Sequence, residues 1–250
     1  MNIQQLCKEL RLSYIRDNYD ILSDEASKTN QKHSEFLHQL LENEYAQKLE
    51  NSIKRRIQEA KFPQKVHLSD FDRSVYDPGY ADKFAELETL DFIKEKRNLI
   101  LKGASGAGKT YYASALGLLA CMQGKSVLFV TLPDLIINLK ESMSLNQISS
   151  LKRKFQRYDL IILDELGYYS FDTEIAELFF NLLSCRELKG STIITTNLDF
   201  EEWTKPLGDT KLTGSLVSRV CRRAHIVELE REVDGRMQDT LDWLAAKKAE

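Results

Sequence analysis

Residues Gly103, Ala104, Ser105, Gly106, Ala107, Gly108, Lys109 and Thr110 form the stretch of the chain whose spacing speaks most directly of chemistry. They follow the apolar run Leu99, Ile100, Leu101. A strand-to-helix loop with glycines at these positions can turn its backbone N–H groups inward around an anion. The helix that starts there aims the positive end of its dipole at the same place. Lys109 would reach the β- and γ-phosphates of a nucleotide, and the Thr110 hydroxyl would hold Mg2+.

A second group answers the first. Leu160, Ile161, Ile162 and Leu163 read as a strand buried on both faces, and it ends in Asp164 and Glu165. A carboxylate beside a phosphate loop coordinates Mg2+, usually through water, which is the part for Asp164. Glu165 can orient and deprotonate the water that attacks the γ-phosphate. The plainer alternative, a strand ended by solvated charges, loses ground once a phosphate loop precedes it. Asn197 closes the run Ser191–Thr196 and can hydrogen-bond the γ-phosphate or the attacking water; a turn-forming Asn is the alternative. Arg219 is a candidate arginine finger, inserted into the ATP of a neighbouring subunit. Arg222 stays open between a finger and a charge that complements a helix C-terminus, and Arg223 reads as the latter.

The elements that must position these groups alternate. Strands are expected at 98–102, 126–131, 159–164, 191–196 and 225–229, with helices at 109–123, 134–143, 147–156, 173–188 and 213–221. That order implies an α/β fold with a parallel five-stranded sheet and right-handed crossovers. A last amphipathic helix is expected over 232–248. Before the sheet, residues 2–61 contain neither Gly nor Pro. Ile3, Leu6, Cys7, Leu10 and Tyr14 make one helical face, continued through Tyr19 and Leu22. A long helix from Ser34, as N-cap, to Ala60 carries Leu37, Leu41, Leu49, Ile53 and Ile57 along its stripe. The expected organisation is a helical N-terminal domain over 1–62, a linker over 63–79 with Pro63 and Pro78, and an ATPase domain over 80–250.

Composition narrows the class. A net charge of -3 over 250 residues gives no global basic field, so any nucleic-acid contact must come from local patches. Cys7, Cys121, Cys185 and Cys221 lack metal-type spacing and suit a reducing compartment. No signal-peptide core and no membrane-length apolar run is present, so a cytoplasmic protein is expected.

The combination of motifs resembles the AAA+ ATPases of the initiator and helicase-loader type, and over nearly the whole chain the IstB-like ATP-binding proteins of bacterial insertion sequences. The resemblance rests on Glu35-Phe36-Leu37, Glu42-Asn43-Glu44 and Ala60-Lys61-Phe62-Pro63, on the phosphate loop, and on Leu163-Asp164-Glu165-Leu166-Gly167-Tyr168. Thr196-Asn197-Leu198-Asp199-Phe200-Glu201-Glu202-Trp203 and Arg219 with Ala224-His225 complete it. It implies an AAA+ P-loop NTPase using ATP and Mg2+, which oligomerises with ATP at subunit interfaces, binds and remodels duplex DNA, and assists a partner transposase. A replicative helicase is the alternative partner, and a small-molecule P-loop kinase the alternative of another class. The chain departs from the family pattern at Ser218-Arg219, where Asp-Arg is usual, and at 232–236, where a second sensor role for Arg236 has little support. It also ends soon after one helix, so a truncated lid is expected. Lys48 and Arg55 form a basic strip on the second long helix, flanked by Lys54 and Lys61. Glu44, Glu50 and Glu59 would allow i,i+4 pairing on a solvated face instead; the resemblance turns the strip towards DNA phosphates. Lys152, Arg153, Lys154 and Arg157 form a second basic run, open to the same two readings.

Overall fold

The computed structural model describes residues 1–230. The helix expected over 232–248, Arg236 and the truncated lid lie outside the described residues. Contacts divide the chain into two units, Met1–Arg55 and the chain from Arg56 onward.

The first unit is helical, with α1 (Ile3–Glu9), α2 (Ser13–Lys28) and most of α3 (His33–Ala60). Asn2 caps α1 by accepting from the Gln5 N–H at 2.8 Å, while the Gln5 side chain accepts from the Asn2 N–H. The continuous face expected from Ile3 to Leu22 is broken between α1 and α2, where Arg11 takes a left-handed φ of 56°. Cys7, Ile15 and Leu40 are buried in this unit, whereas Ile3, Leu6, Leu10, Leu37, Leu41 and Leu49 are exposed. Of the stripe expected on α3, Leu37, Leu41 and Leu49 are thus exposed, whereas Ile53 and Ile57 are half-buried. Leu40 and Glu44 are turned inward instead, and the Glu44 carboxylate accepts from the Ile15 N–H at 3.1 Å. Leu12 supplies no side-chain cap to α2, so a carboxylate from α3 satisfies a donor that the helix start leaves over. Ser34, expected as an N-cap, lies inside α3, which begins at His33.

The second unit is built on β1 (Leu99–Lys102), β2 (Val127–Thr131), β3 (Leu160–Leu166), β4 (Ser191–Thr196) and β5 (His225–Glu228), all parallel, in the order β2-β3-β4-β1-β5. Helices α4 (Ala81–Glu88) and α5 (Asp91–Lys94) precede the sheet. Crossovers run through α6 (Lys109–Met122), α7 (Leu132–Ser144), α8 (Ile148–Arg157), α9 (Thr173–Ser184), α10 (Thr204–Leu207) and α11 (Thr210–Val220). Alternate strand residues serve two cores, because successive side chains point to opposite faces. Leu99, Leu101, Phe129, Ile162 and Ile193 pack with Tyr112, Ala113 and Leu116 of α6. Ile100, Leu128, Ile161, Leu163 and Ile194 pack with Leu135 and Leu139 of α7, Phe179 and Leu182 of α9, and Leu216 of α11. Strands covered on both faces must read as apolar runs, which is why they stand out in the sequence.

The stretch 63–79 is not bare chain. Phe71 and Tyr76 are buried in the α6-side core, their rings stacked 5.3 Å apart, and Phe71 lies 4.8 Å from Tyr112. Just before it, Phe62 sets its ring edge-on to Phe129 at 6.4 Å.

Candidate functional site

The sheet order places β4 between β3 and β1, so three strand ends converge at one carboxyl edge. From β1 the chain enters the phosphate loop with Gly103 at φ 154°, Gly106 at φ 72° and Gly108 at φ 85°. Two of these glycines are required by space as well as by angle. A Cβ on Gly103 would lie 2.3 Å from the Leu229 carbonyl oxygen, and one on Gly108 would lie 2.4 Å from the Tyr76 hydroxyl. The Tyr76 O–H donates to the Ala107 carbonyl at 2.7 Å, so a buried aromatic cluster anchors the loop from behind. The loop's first N–H, that of Gly103, donates to the Thr196 carbonyl at 3.2 Å and ties it to the end of β4.

Lys109 starts α6 and folds back over the loop, its Nζ donating to the carbonyls of Gly103 and Ala104 at 2.7 Å each. Its ammonium thus stands within the cradle where a phosphate chain would lie. The Thr110 hydroxyl faces Asp164 at the end of β3, 2.9 Å from Oδ1 and 3.1 Å from Oδ2. A hydroxyl and a buried carboxylate side by side, at the mouth of an N–H-lined loop, fit a Mg2+ ion carried in with a nucleotide. Among the described residues no cluster of three or more His, Cys, Asp or Glu could hold a metal by itself.

Asp164 and Glu165 sit in a β-bulge. Leu163 pairs with Ile194 and Leu166 with Thr196, so two residues of β3 oppose Thr195 alone. Glu165 takes a left-handed φ of 67°, a conformation that costs a non-glycine residue about 1–3 kcal/mol and needs support. The bulge re-aims the glutamate, which is half-buried, whereas Asp164 is 4% exposed. Thr195, like Tyr76, is a residue that sequence reasoning missed. Its hydroxyl donates to Asp164 Oδ1 at 2.5 Å and accepts from the Glu165 N–H at 3.0 Å. The available signal was a hydroxyl two residues before Asn197 on a strand otherwise filled with Ile and Thr.

Asn197 is exposed at the end of β4, and its Oδ1 approaches Gly167 so closely that a Cβ there would lie 3.1 Å away. The expected sensor thus borders the turn leaving Glu165. Lys102 binds the same edge together, with Nζ 2.5 Å from Asp199 and 2.8 Å from Glu228; hydrogen bonds first to Asp199 and then to Glu228 hold its ammonium above the usual lysine range.

Arg219 is elsewhere. It lines a cavity of about 250 Å³ with Asn98, Gly190 and Thr192, which lie at the amino ends of β1 and β4, the edge opposite the phosphate loop. The exposed guanidinium stands 5.0 Å over the Phe180 ring. Arg222 lines the same cavity and pairs with Glu187 at 3.3 Å, while Arg223 adopts a left-handed φ of 57°. Beneath them Arg186 is fully buried, donating to the carbonyls of Phe155, Tyr158 and Ser191. Burial pulls its pKa down to about 10.

The basic strip on α3 is compensated in part. Lys48 approaches Glu44 at 3.6 Å and Lys54 pairs with Glu50 at 2.6 Å, the i,i+4 arrangement that the sequence allowed. Arg55 is exposed on the same helix, and Lys61 is exposed at the left-handed turn that follows it. No helix among the described residues is long and apolar enough to cross a membrane.

Comparison with known proteins agrees with this architecture. The family model described as IstB-like ATP binding protein matches residues 5–240. A Geobacillus stearothermophilus protein named as an ATP-binding protein of insertion sequence IS5376 is 30% identical over 230 residues, covering 92% of each chain. A similarly named protein of IS232 from Bacillus thuringiensis subsp. berliner is 32% identical over 180 residues, 72% of each chain. Among solved structures, DnaI is 25% identical with a TM-score of 0.55, covering 69% of this chain and 91% of that one. The DnaC helicase loader has a TM-score of 0.55 at 22% identity, covering 68% of this chain and all of that one, a likeness of fold. With the phosphate loop, the acidic strand end and the order β2-β3-β4-β1-β5 in place, the chain belongs to the IstB-like ATP binding protein family and has the AAA+ P-loop fold.

Proposed function

We propose that the chain is a Mg2+-dependent ATPase that assembles on duplex DNA and assists the transposase of its insertion sequence. The observation that carries the catalytic part is the meeting of three strand ends. Thr110 touches Asp164, Glu165 is re-aimed by the bulge beside it, and Asn197 stands on the intervening strand.

The loop N–H groups beyond Gly103, whose own N–H is given to Thr196, and the Lys109 ammonium would bind and orient the phosphate chain of ATP. Thr110 and Asp164 would hold Mg2+, which neutralises phosphate charge when bound. Glu165 takes a proton from the water aligned on the γ-phosphate, and the Asn197 amide orients that water or the γ-phosphate itself. Lys102 and the Gly103–Thr196 hydrogen bond keep the sensor loop and the phosphate loop in one frame, so a change at one is felt at the other.

Arg219 belongs to the opposite edge of the sheet and would serve the ATP of a neighbouring copy. That division supports an oligomer with ATP between subunits. The insertion-sequence names of the relatives support a transposase over a replicative helicase as partner. For DNA, the candidates are Lys48, Lys54, Arg55 and Lys61; separately, in the second unit, Lys152, Arg153, Lys154 and Arg157 share α8 with no acidic residue.

The decisive assay is phosphate release without any added acceptor, with and without duplex DNA. The expected result is turnover that is lost in Glu165→Gln while ATP binding persists. Turnover that requires a small-molecule acceptor would make the protein a kinase, and undiminished turnover in Glu165→Gln would remove that residue from the mechanism.

A further inference from the structure

Thr195 has no assigned part in nucleotide chemistry, yet it holds both acidic residues at once. It is 1% exposed, on the central strand β4, facing the β3 bulge. Its single hydroxyl proton goes to Asp164 Oδ1 at 2.5 Å, and its oxygen accepts the Glu165 N–H at 3.0 Å. Neither bond can be replaced by water at a buried position without opening the sheet, and an unmet donor or acceptor there is costly.

The two hydroxyls on Asp164 are not equivalent. Thr110 reaches both carboxylate oxygens at 2.9 and 3.1 Å from the start of α6, on the side of the phosphate loop. Thr195 approaches Oδ1 from β4 and is itself fixed by the Glu165 N–H behind it. The carboxylate is therefore pinned at Oδ1 by a strand residue, while Thr110 spans both oxygens from the side of the phosphate loop. The same hydroxyl supports the left-handed backbone at Glu165, which directs that side chain.

We propose that Thr195 is a positioning residue that sets Asp164 for Mg2+ and Glu165 for water through one bifunctional hydroxyl. The proposal rests on the ATPase reading for its kinetic consequence, and on geometry alone for its consequence at the bulge. A hydroxyl-bearing side chain is required at this position, and the methyl group serves only packing.

The test compares the full-length protein with Thr195→Val, Thr195→Ala and Thr195→Ser. Each variant is first checked for cooperative thermal unfolding. Affinity for a fluorescent ATP analogue is then measured in Mg2+ and in EDTA, alongside phosphate release and amide exchange at Glu165 without nucleotide. Thr195→Val should bind the analogue in EDTA like wild type, because the phosphate loop is untouched. Its gain in affinity on adding Mg2+ should shrink about tenfold, the worth of one hydrogen bond to a charged group. Phosphate release should fall by at least about that factor, and the Glu165 amide should exchange faster. Thr195→Ser should restore all three. If the valine variant fails to fold, the Ala and Ser variants pose the same contrast, since only Ser keeps the hydroxyl. A Val or Ala variant with the wild-type Mg2+ gain and wild-type amide exchange overturns the proposal, as does a Ser variant that rescues nothing. Failure of the ATPase reading would look different. Wild-type protein would then release no phosphate, while the Mg2+ gain and the amide exchange would still report on Thr195.

Discussion

At the scale of single residues, Gly108 and Lys109 show how little change the site tolerates. Gly108 combines a φ of 85° with a Tyr76 hydroxyl only 2.4 Å from where a Cβ would stand. Gly108→Ala should therefore displace the Tyr76–Ala107 hydrogen bond and distort the phosphate loop. We expect at least about a tenfold loss of ATP affinity, equivalent to about 1.4 kcal/mol, with the sheet still folded. Calorimetric titration with a non-hydrolysable analogue checks this, and wild-type affinity would show that the loop absorbs the methyl group. Lys109→Ala removes the ammonium that stands in the cradle and should abolish both ATP binding and nucleotide-dependent assembly; light scattering with an analogue reads the second effect directly. That these residues come together was legible in the sequence, because Gly103–Thr110 and Asp164–Glu165 are contiguous and their residue types are unusual together. Thr195 and Tyr76 were not legible. Their roles arise from distances between elements 30 or more residues apart, and neither a strand threonine nor a loop tyrosine is distinctive by itself.

At the scale of elements, the strands declared themselves. Each expected strand lies within two residues of the observed one, since a doubly covered parallel strand must be an uninterrupted apolar run. The bulge at Asp164 and Glu165 did not, because the apolar pattern continues into Leu166 and gives no sign that two residues face Thr195. The N-terminal helices show the opposite weakness. Helical periodicity was correct, but the buried side of α3 is marked by Leu40 and by the carboxylate of Glu44, a residue that no hydrophobic pattern would select. Register between β2 and β3 is held at their start by Asp159, which accepts the Ser126 N–H and hydroxyl at 2.8 Å each. Burial pushes the Asp159 carboxyl upward, but the Ser126 hydrogen bonds and the nearby Lys125 and Lys96 outweigh it and leave it below the usual aspartate range. A depressed folded-state pKa means stability that is present above the unfolded pKa and lost as pH falls through the folded one. Asp159→Asn should cost about 1–2 kcal/mol at neutral pH for this half-exposed group. It should also flatten the acid limb of the stability curve below about pH 4. Chemical denaturation across that pH range checks both, and an unchanged acid limb would mean that other carboxylates dominate it.

At the scale of the whole molecule, the sheet separates two groups of residues that the proposed ATPase site would need. The phosphate loop, Asp164, Glu165 and Asn197 occupy the carboxyl edge, while Arg219 sits at the amino edge over Phe180. Sequence position suggests a finger for another subunit; the fold places the strands between Arg219 and its own loop, and the role itself remains part of the proposal. DNA binding is tested at this scale too. Replacing Lys48 and Arg55 by Glu should lower duplex affinity and flatten its dependence on salt by about two ion-pair equivalents. No change in either would leave the strip a solvated face, as its pairing with Glu44 already allows. The central claim, a site completed by a neighbouring copy, is tested most directly by mixing Glu165→Gln protein with Arg219→Ala protein and measuring steady-state phosphate release. Each variant alone should be inactive. An equimolar, randomly assembled mixture should recover about a quarter of wild-type turnover, because about one interface in four pairs an intact Glu165 with an intact Arg219. A mixture no faster than either variant alone, or wild-type turnover in Arg219→Ala by itself, would contradict the account.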